Sequence, residues 1–443
     1  MRVHVKGGVV CVSFALSLAT AQVRAQEEAE RYGWSADLGA EYSDNIARTE
    51  TDKVNETTAI ARLGIDLATK RPHFDADIAA DLQYRDYLNR DIDSEISGGL
   101  DAFLDFAFVP ERFSWIVEDN YGQINKDRSQ ADTANNREQI NYLSTGPEIT
   151  LPLGARTRVV VSGRYTDTYL EDSPQDNNAT LGNVELIRQF SDGVSVSLNA
   201  GASKTEFDDP LFLPYKMRQA SLELNLRDAR TELTASGGYA EWDQEGQPEV
   251  AKFTMFRLEL TRDIGARSKL RLVGGTAPAS TAENFRRDQQ VIGIGDGPEA
   301  AQATNDIFRL DDAYIIWDTA WERTSITFVA SARREKHELI TSLDREQYRG
   351  DAYWSRKITR SLTWNAFGSY LQEQRLEDKA EFDEWSAGTS VSWEFAERFG
   401  LELRVDHFSG SSDDLQRNYD ENRVYLSIGY RGGRDGGRNG GGY

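Results

Sequence analysis

The residue types that most often carry out chemistry are few and scattered in this sequence. His73, His337 and His407 lie far apart, and none has a partner at a spacing typical of a metal site. A nucleophile elbow needs a strand-to-helix turn, for which the sequence gives no signal. The glycine-rich segment 293–297 follows no βα pattern and does not indicate a nucleotide site. We therefore predict no enzyme, no cofactor and no metal site.

The charge balance excludes further classes of protein. The chain has 443 residues, with 51 Lys+Arg against 73 Asp+Glu and a formal net charge of -22. Such an acidic chain repels phosphates, so we expect no nucleic-acid partner. One cysteine cannot form an internal disulfide. A mean hydropathy of -0.60 argues against a bundle of membrane-spanning helices.

Residues 1–25 have the pattern of a secretory signal peptide. Arg2 and Lys6 precede an apolar stretch at 7–18, and small residues follow up to Ala25. The apolar stretch is short for the alternative, an N-terminal membrane anchor. Cleavage after Ala25 would remove Cys11 and leave a cysteine-free chain in an exported compartment.

The rest of the chain alternates between apolar and polar residues with period two. In 74–84 the even positions are apolar and most odd positions are polar, and 59–67, 96–108 and 362–370 repeat this pattern. Alternation of this kind indicates strands with one apolar and one polar face. No stretch shows a comparable helical period.

The connections between the predicted strands alternate in length. Short links such as 110–111 and 191–193 follow every second strand, and longer polar segments such as 123–137 and 277–306 lie between them. The apolar faces also carry aromatic residues near both strand ends, unlike a soluble propeller or sandwich. We predict an all-β fold: a transmembrane antiparallel up-and-down β-barrel of about 20 strands (roughly 18 to 22), with short periplasmic turns and long extracellular loops.

This fold predicts a simple domain organisation. A short periplasmic segment (26–33) leads into the barrel (34–430), and a Gly/Arg-rich periplasmic tail (431–443) follows it. We expect an outer-membrane location with lipid and lipopolysaccharide as surroundings. A barrel of this size encloses water unless it is plugged. Segment 277–306 is the best candidate for an inward loop, and a surface loop is the alternative.

The polar faces should line the lumen, because charges facing lipid are costly. Their charges either form opposed acidic and basic walls that orient polar solutes, or pair across strands and keep the wall wet. The predicted lumen-lining residues are Asp75, Asp77, Asp81, Asp101, Asp105, Arg62, Arg85, Arg158, Arg164, Arg257, Arg271, Arg333, Arg349 and Arg404.

A short motif follows the first predicted strand, with Tyr42, Asp44, Asn45 and Ile46 as its characteristic residues. Together with the long alternating strands, it resembles the β-barrel porin 2 family. It is also similar to outer-membrane proteins of exopolysaccharide and PEP-CTERM gene clusters. The resemblance implies an outer-membrane barrel of a Gram-negative bacterium that serves polysaccharide export, with no catalytic residues.

Two functional hypotheses remain open at this point. The first is a porin-like channel that passes saccharides or other polar solutes, with polysaccharide and periplasmic export components as partners. The second is a structural or adhesive barrel whose acidic loops bind surface polymer or cations.

Overall fold

The computed structural model describes residues 31–89, 92–292, 302–413 and 417–433, with the backbone alone for 290–292. The predicted signal peptide, Cys11 and residues 434–443 of the predicted tail lie outside these residues. The strands are β1 (Arg31–Ser43), β2 (Glu56–Arg71), β3 (Phe74–Tyr87), β4 (Glu95–Val109), β5 (Phe113–Asn125), β6 (Arg137–Pro152), β7 (Thr157–Leu170), β8 (Asn177–Ser191), β9 (Val194–Phe207), β10 (Tyr215–Asp228), β11 (Thr231–Gln244), β12 (Ala251–Asp263), β13 (Ser268–Ala279), β14 (Phe308–Ala320), β15 (Thr324–His337), β16 (Arg345–Lys357), β17 (Leu362–Arg375), β18 (Glu381–Glu394), β19 (Phe399–Ser412) and β20 (Tyr419–Gly433).

The strands form one closed antiparallel barrel of 20 strands. Each strand pairs with the next along the chain, and β1 closes the barrel by pairing with β20 from Gly33↔Gly433 to Ser43↔Arg423. The predicted fold class is therefore confirmed. The first and last strands extend about three residues beyond the predicted limits of the barrel, because β1 begins at Arg31 and β20 ends at Gly433.

The connections confirm the predicted sidedness. One end of the barrel carries tight turns such as 72–73 and 192–193, and the other carries long loops such as 44–55, 126–136 and 280–307. In outer-membrane barrels the short turns face the periplasm and the long loops face the outside. Both described chain ends lie at the periplasmic end.

The outer face of the barrel is apolar and is bordered by aromatic residues at both ends. Leu38 and Leu222 are examples of the exposed apolar band. Near the long loops the exposed tyrosines are Tyr42, Tyr84, Tyr165, Tyr169, Tyr239, Tyr348 and Tyr370, and near the short turns the exposed rings are Phe108, Phe190, Trp321, Trp393 and Phe395. These two rings of aromatic residues suit the two headgroup regions of a bilayer.

The tightly packed interior lies inside the barrel, towards the long-loop end. One apolar cluster consists of Ile124, Ile140, Leu170 and Phe285, and a second of Tyr215, Ala240, Trp242, Phe253 and Ile307. Most of these residues come from the ends of strands next to the long loops, whereas Phe285 and Ile307 come from segment 280–307 itself. The long loops therefore fold back into the lumen and fill it at that end.

A helix, α1 (Thr281–Ile292), lies within segment 277–306, although the sequence shows no long helical period. Its start is a capping box: the Ser280 backbone N–H donates to Glu283 at 3.0 Å, and the Glu283 N–H donates to the Ser280 hydroxyl at 3.3 Å. Among the described residues, no helix is long and apolar enough to cross a membrane.

Candidate functional site

The strand register assigns each polar residue to one face of the barrel. Glu41 is buried and binds Arg85, whereas the adjacent Tyr42 is exposed on the outer face. Following the cross-strand pairs around the barrel from Glu41 places a connected set of residues on the inner face. This set includes Asp75, Asp77, Asp81, Asp101, Asp105, Arg62, Arg85, Arg158, Arg164, Arg257, Arg271, Arg333, Arg349 and Arg404.

Most of the arginines in this set pair with a nearby carboxylate. Such pairing offsets each of these arginine charges locally and keeps the wall hydrated. Arg333 pairs with Asp288 of α1. The other pairs are Arg62–Asp81 at 2.5 Å, Arg85–Glu41 at 2.5 Å, Arg164–Glu148 at 3.2 Å, Arg257–Glu259 at 2.7 Å, Arg349–Asp351 at 3.0 Å and Arg404–Asp406 at 2.8 Å.

The acidic residues of β3 and β4 form a distinct patch towards the short-turn end. Asp75 lies directly opposite Asp105 in the register, and Lys70 approaches Asp75 at 3.5 Å. Asn120 donates to Asp101 at 3.0 Å. No group of three or more His, Cys, Asp or Glu residues that could hold a metal ion occurs among the residues that the structure describes.

The motif after β1 joins the first and last strands at the long-loop end. Asn45 is fully buried, and its side-chain amide donates to the carbonyl oxygens of Thr49 at 2.7 Å and Asp420 at 2.9 Å. Asp44 accepts hydrogen bonds from the backbone and the side-chain amide of Asn422 at 2.8 and 2.7 Å. The Ile46 N–H donates to the Val54 carbonyl at 2.9 Å. These contacts fasten loop 44–55 over the β1–β20 seam.

The same loop directs Arg48 into the mouth of the barrel. Arg48 has a positive φ of 49° and is buried. Its guanidinium lies 3.0 Å from Glu421, 3.8 Å from Glu384 and 4.0 Å from Asp132. Burial alone would lower the pKa of Arg48, but Tyr419 and these carboxylates outweigh it and hold the pKa well above its usual range. The contact of Arg48 with Asp132 therefore connects loop 44–55 to loop 126–136.

Loop 126–136 reaches the opposite wall of the barrel. Its Arg128 is buried and donates to Glu335 of β15 at 3.1 Å and to Glu373 of β17 at 2.9 Å. The loop connects β5 to β6, which lie about halfway around the barrel from β15 and β17. Arg128 therefore joins two opposite walls across the lumen.

These contacts require the barrel to be flattened at this level. A circular barrel of 20 strands would be about 40 Å across, given a strand spacing of about 4.8 Å and a tilt of about 40°. Arg128 lies just past the end of β5, and three residues span at most about 10 Å. Even with the arginine side chain added, this reach is well short of a circular diameter. The walls near β5 and β15–β17 are therefore closer than in a circular barrel.

Loop 126–136 is also organised internally by polar contacts. Asn136 donates to the Asp127 carbonyl at 2.8 Å, and the Asp127 carboxylate accepts from the Ser129 hydroxyl at 2.6 Å. Arg137 donates to Asp132 at 2.6 Å. Burial alone would raise the pKa of Asp132, but Arg137 and Arg48 outweigh it and lower the pKa well below its usual range. Asp132 is thus a carboxylate at neutral pH and binds arginines from two elements.

Helix α1 forms a second bridge inside the barrel. Phe285 is fully buried against Ile124, Ile140 and Leu170 of β5, β6 and β7. The ring fits only because residue 122 is glycine: an added Cβ there would lie 2.8 Å from the Phe285 ring. This side of α1 is held by apolar packing.

The other side of α1 is held by charges on β14 and β15. Asp288 pairs with Arg333 and accepts a hydrogen bond from Tyr314 at 3.3 Å. Arg287 pairs with Asp312 at 2.5 Å. The described part of segment 277–306 therefore lies in the lumen rather than on the surface, which decides between the two alternatives for that part of the segment.

A pocket lies at the mouth of the barrel, between loop 126–136 and the long-loop ends of β16 to β19. The pocket has a volume of about 190 Å³ and is lined by arginines, carboxylates and hydroxyl groups. The lining residues are Asp127, Arg128, Ser129, Gln302, Ser342, Leu343, Arg345, Glu373, Arg375, Ala380, Glu381, Phe382, Ser412 and Arg417.

The comparisons with known proteins show similar barrels but no family. No family model matches the chain, and no curated protein sequence matches it. Similar solved structures include a variant of the ferric enterobactin receptor PfeA of Pseudomonas aeruginosa, with 7% identity and a TM-score of 0.48 over 91% of this chain and 81% of the receptor. OccAB4 of Acinetobacter baumannii has 10% identity and a TM-score of 0.37, over 92% of this chain and 99% of that chain. The resemblance to the β-barrel porin 2 family therefore stays a resemblance.

The architecture itself establishes the location. A closed barrel of 20 antiparallel strands, with an apolar outer band, two aromatic girdles and short turns at one end, is the form in which proteins cross bacterial outer membranes. The chain is an outer-membrane β-barrel whose lumen is crossed at the extracellular mouth by loop 126–136 and helix α1.

Proposed function

We propose that this barrel is a gated channel for polar solutes, closed at its extracellular mouth by loop 126–136. The observation that carries the proposal is the ion pairing of Arg128 with Glu335 and Glu373 on the opposite wall. Buried ion pairs of this kind add little net stability, because desolvation offsets most of their attraction. They do fix one arrangement of the loop, and an alternative arrangement of the loop would open the mouth.

The wall below the mouth is suited to polar solutes. Its inner face carries paired charges such as Arg62–Asp81 and Arg404–Asp406, together with serine and asparagine side chains. Hydrogen-bonding groups of this kind exchange readily with the hydroxyl groups of sugars. Saccharides are therefore the proposed solutes, and the resemblance to exopolysaccharide-cluster proteins supports a role in polysaccharide export.

Ion conductance in planar bilayers tests the gate. We expect low conductance from the native protein and a several-fold higher conductance from Arg128→Ala, because the variant lacks the guanidinium that holds loop 126–136 to the far wall. Arg309→Ala is the matched control: Arg309 pairs with Asp311 at 2.9 Å, but it is half-exposed and lies on the outer face. Equal conductance of native protein and Arg128→Ala would contradict the gate.

Swelling of liposomes in sugar solutions tests the solute class. We expect liposomes with Arg128→Ala to swell in isotonic solutions of mono- and disaccharides faster than liposomes with the native protein. Failure of both proteins to conduct ions or pass sugars would favour the alternative, a structural barrel. The exposed acidic loop residues, such as Asp208 and Asp413, are the observation that supports that alternative.

A further inference from the structure

Three arginines from three separate elements meet at the mouth of the barrel. Arg128 comes from loop 126–136, Arg345 from the start of β16 and Arg417 from just before β20. All three are largely buried, with side-chain exposures of 3%, 7% and 12%. Two buried carboxylates, Glu335 and Glu373, are the ion-pair partners of all three guanidinium groups.

The three guanidinium groups outnumber their shared carboxylates. Arg345 lies 3.5 Å from both Glu335 and Glu373, and Arg417 lies 3.5 Å from Glu373. These separations exceed the 2.7–2.9 Å that is typical of a charge-assisted hydrogen bond. Within the described residues, the buried Nε of Arg417 has no hydrogen-bond partner.

Asp127 and Glu381, the other acids that line the pocket, are engaged elsewhere. The Asp127 carboxylate accepts hydrogen bonds from Ser129 and from Gln130, at 2.8 and 2.9 Å. The Glu381 carboxylate is exposed and accepts a hydrogen bond from Gln374 at 2.7 Å. A buried cation without an equal anion is costly. An additional carboxylate beside Arg345 and Arg417 would balance the cluster.

The pocket beside this cluster has room for such a group. Its volume of about 190 Å³ corresponds to about six water molecules or to one sugar ring. Arg375, which is one-third exposed and pairs with the exposed Asp378 at 3.0 Å, adds a fourth guanidinium to the lining. Hydroxyl and amide groups complete the lining, from Ser129, Gln302, Ser342 and Ser412.

We infer that this pocket binds an acidic sugar, with its carboxylate on Arg417 and Arg375 and its hydroxyl groups on the serine and amide side chains. The inference rests on the proposed function and names its solute class. The guanidinium fork matches a carboxylate in shape and charge. The remaining hydrogen-bonding groups give the sugar ring partners that a simple inorganic anion would not use.

Calorimetric titration of the full-length protein in detergent micelles tests the site. The probes are glucuronate, glucose as its neutral analogue, and acetate and phosphate as plain anions. We expect saturable binding of glucuronate, weaker binding of acetate and phosphate, and none of glucose. The double variant Arg375→Gln/Arg417→Gln should bind glucuronate at least about tenfold more weakly, because two charge-assisted contacts are lost. Arg309→Gln, on the outer face, should bind it as the native protein does.

The outcomes separate the site from the channel. Equal affinity for acetate and glucuronate overturns the acidic sugar as ligand, and unchanged affinity in the double variant overturns the pocket as the site. Circular dichroism checks that each variant keeps its β-structure, and Arg417→Lys, which retains the charge, should recover part of the affinity. If Arg128→Ala conducts but no variant or native protein binds glucuronate, the channel stands and this site falls. If the native protein binds glucuronate but neither it nor Arg128→Ala conducts ions, the site stands and the channel falls.

Discussion

Helix α1 and loop 126–136 both cross the lumen, but they are held in different ways. Helix α1 inserts Phe285 into an apolar cluster on one wall and pairs Asp288 with Arg333 on the other. Loop 126–136 reaches its far wall through the ion pairs of Arg128. Apolar packing is weakened neither by protonation nor by the screening of charges. An ion pair is weakened by both, because acid removes the charge of its carboxylate and salt screens the attraction. In the proposed gate, α1 is therefore the fixed part of the lumen closure and loop 126–136 is the movable part.

The largest expected effect tests α1 as the fixed part. Phe285→Ala removes a fully buried ring, and such substitutions lower the free energy of unfolding by about 3–5 kcal/mol. Urea unfolding in detergent micelles, followed by tryptophan fluorescence, measures the change. Leu211→Ala is the control, because Leu211 is 83% exposed in an extracellular loop. A loss below about 1 kcal/mol would show that the helix is not held by this packing.

The packing of Phe285 allows a reciprocal test at Gly122. A methyl group at this position would lie 2.8 Å from the ring. Overpacking of this kind typically lowers stability by about 1–3 kcal/mol. Combined with Phe285→Ala, the Gly122→Ala change should lose most of its effect, since its steric conflict is gone. The same unfolding measurement reports both variants, and additive effects would contradict direct contact.

The next effect concerns the seam that positions Arg48. Asn45→Ala removes two part-buried side-chain hydrogen bonds and leaves the carbonyl oxygens of Thr49 and Asp420 without these donors. A loss of about 1–3 kcal/mol in the free energy of unfolding is expected. Because loop 44–55 carries Arg48 towards Asp132, bilayer conductance should also rise modestly. Stability lost with unchanged conductance would show that the seam and the movable loop are independent.

The sequence predicts the barrel well because its pattern repeats on every strand. Each strand of β1–β20 shows an alternating face, and the short links locate the turns. A residue that breaks the alternation at a single position therefore does not change the predicted fold. The faces of Arg62, Asp81 and the other polar residues follow from the same alternation.

The positions of loop 126–136 and α1 inside the lumen could not be predicted in the same way, because they depend on contacts between distant segments. Nothing near Arg128 in the sequence indicates that its partners lie at Glu335 and Glu373. Helix α1 has one local signal in the sequence, the capping box of Ser280 and Glu283. This signal covers a single helical turn, whereas the rest of the chain alternates between apolar and polar residues. The motif of Asp44 and Asn45 was found, but its role as a seam clamp required the position of β20.

The smallest expected effect tests loop 126–136 as the movable part through pH. Arg137 and Arg48 overcome the effect of burial and lower the pKa of Asp132, so its carboxylate favours the closed loop above the ordinary aspartate pKa near 3.9. This stabilisation is lost progressively as the pH falls below about 4, towards the lowered pKa of the closed state. Bilayer conductance of the native protein should therefore rise in that acidic range. Asp132→Asn should conduct somewhat more at neutral pH and respond less to acid, because the titrating group is absent. If the variant and the native protein have the same acid response, another carboxylate controls the loop, and if conductance does not rise at all, the loop is as fixed as α1.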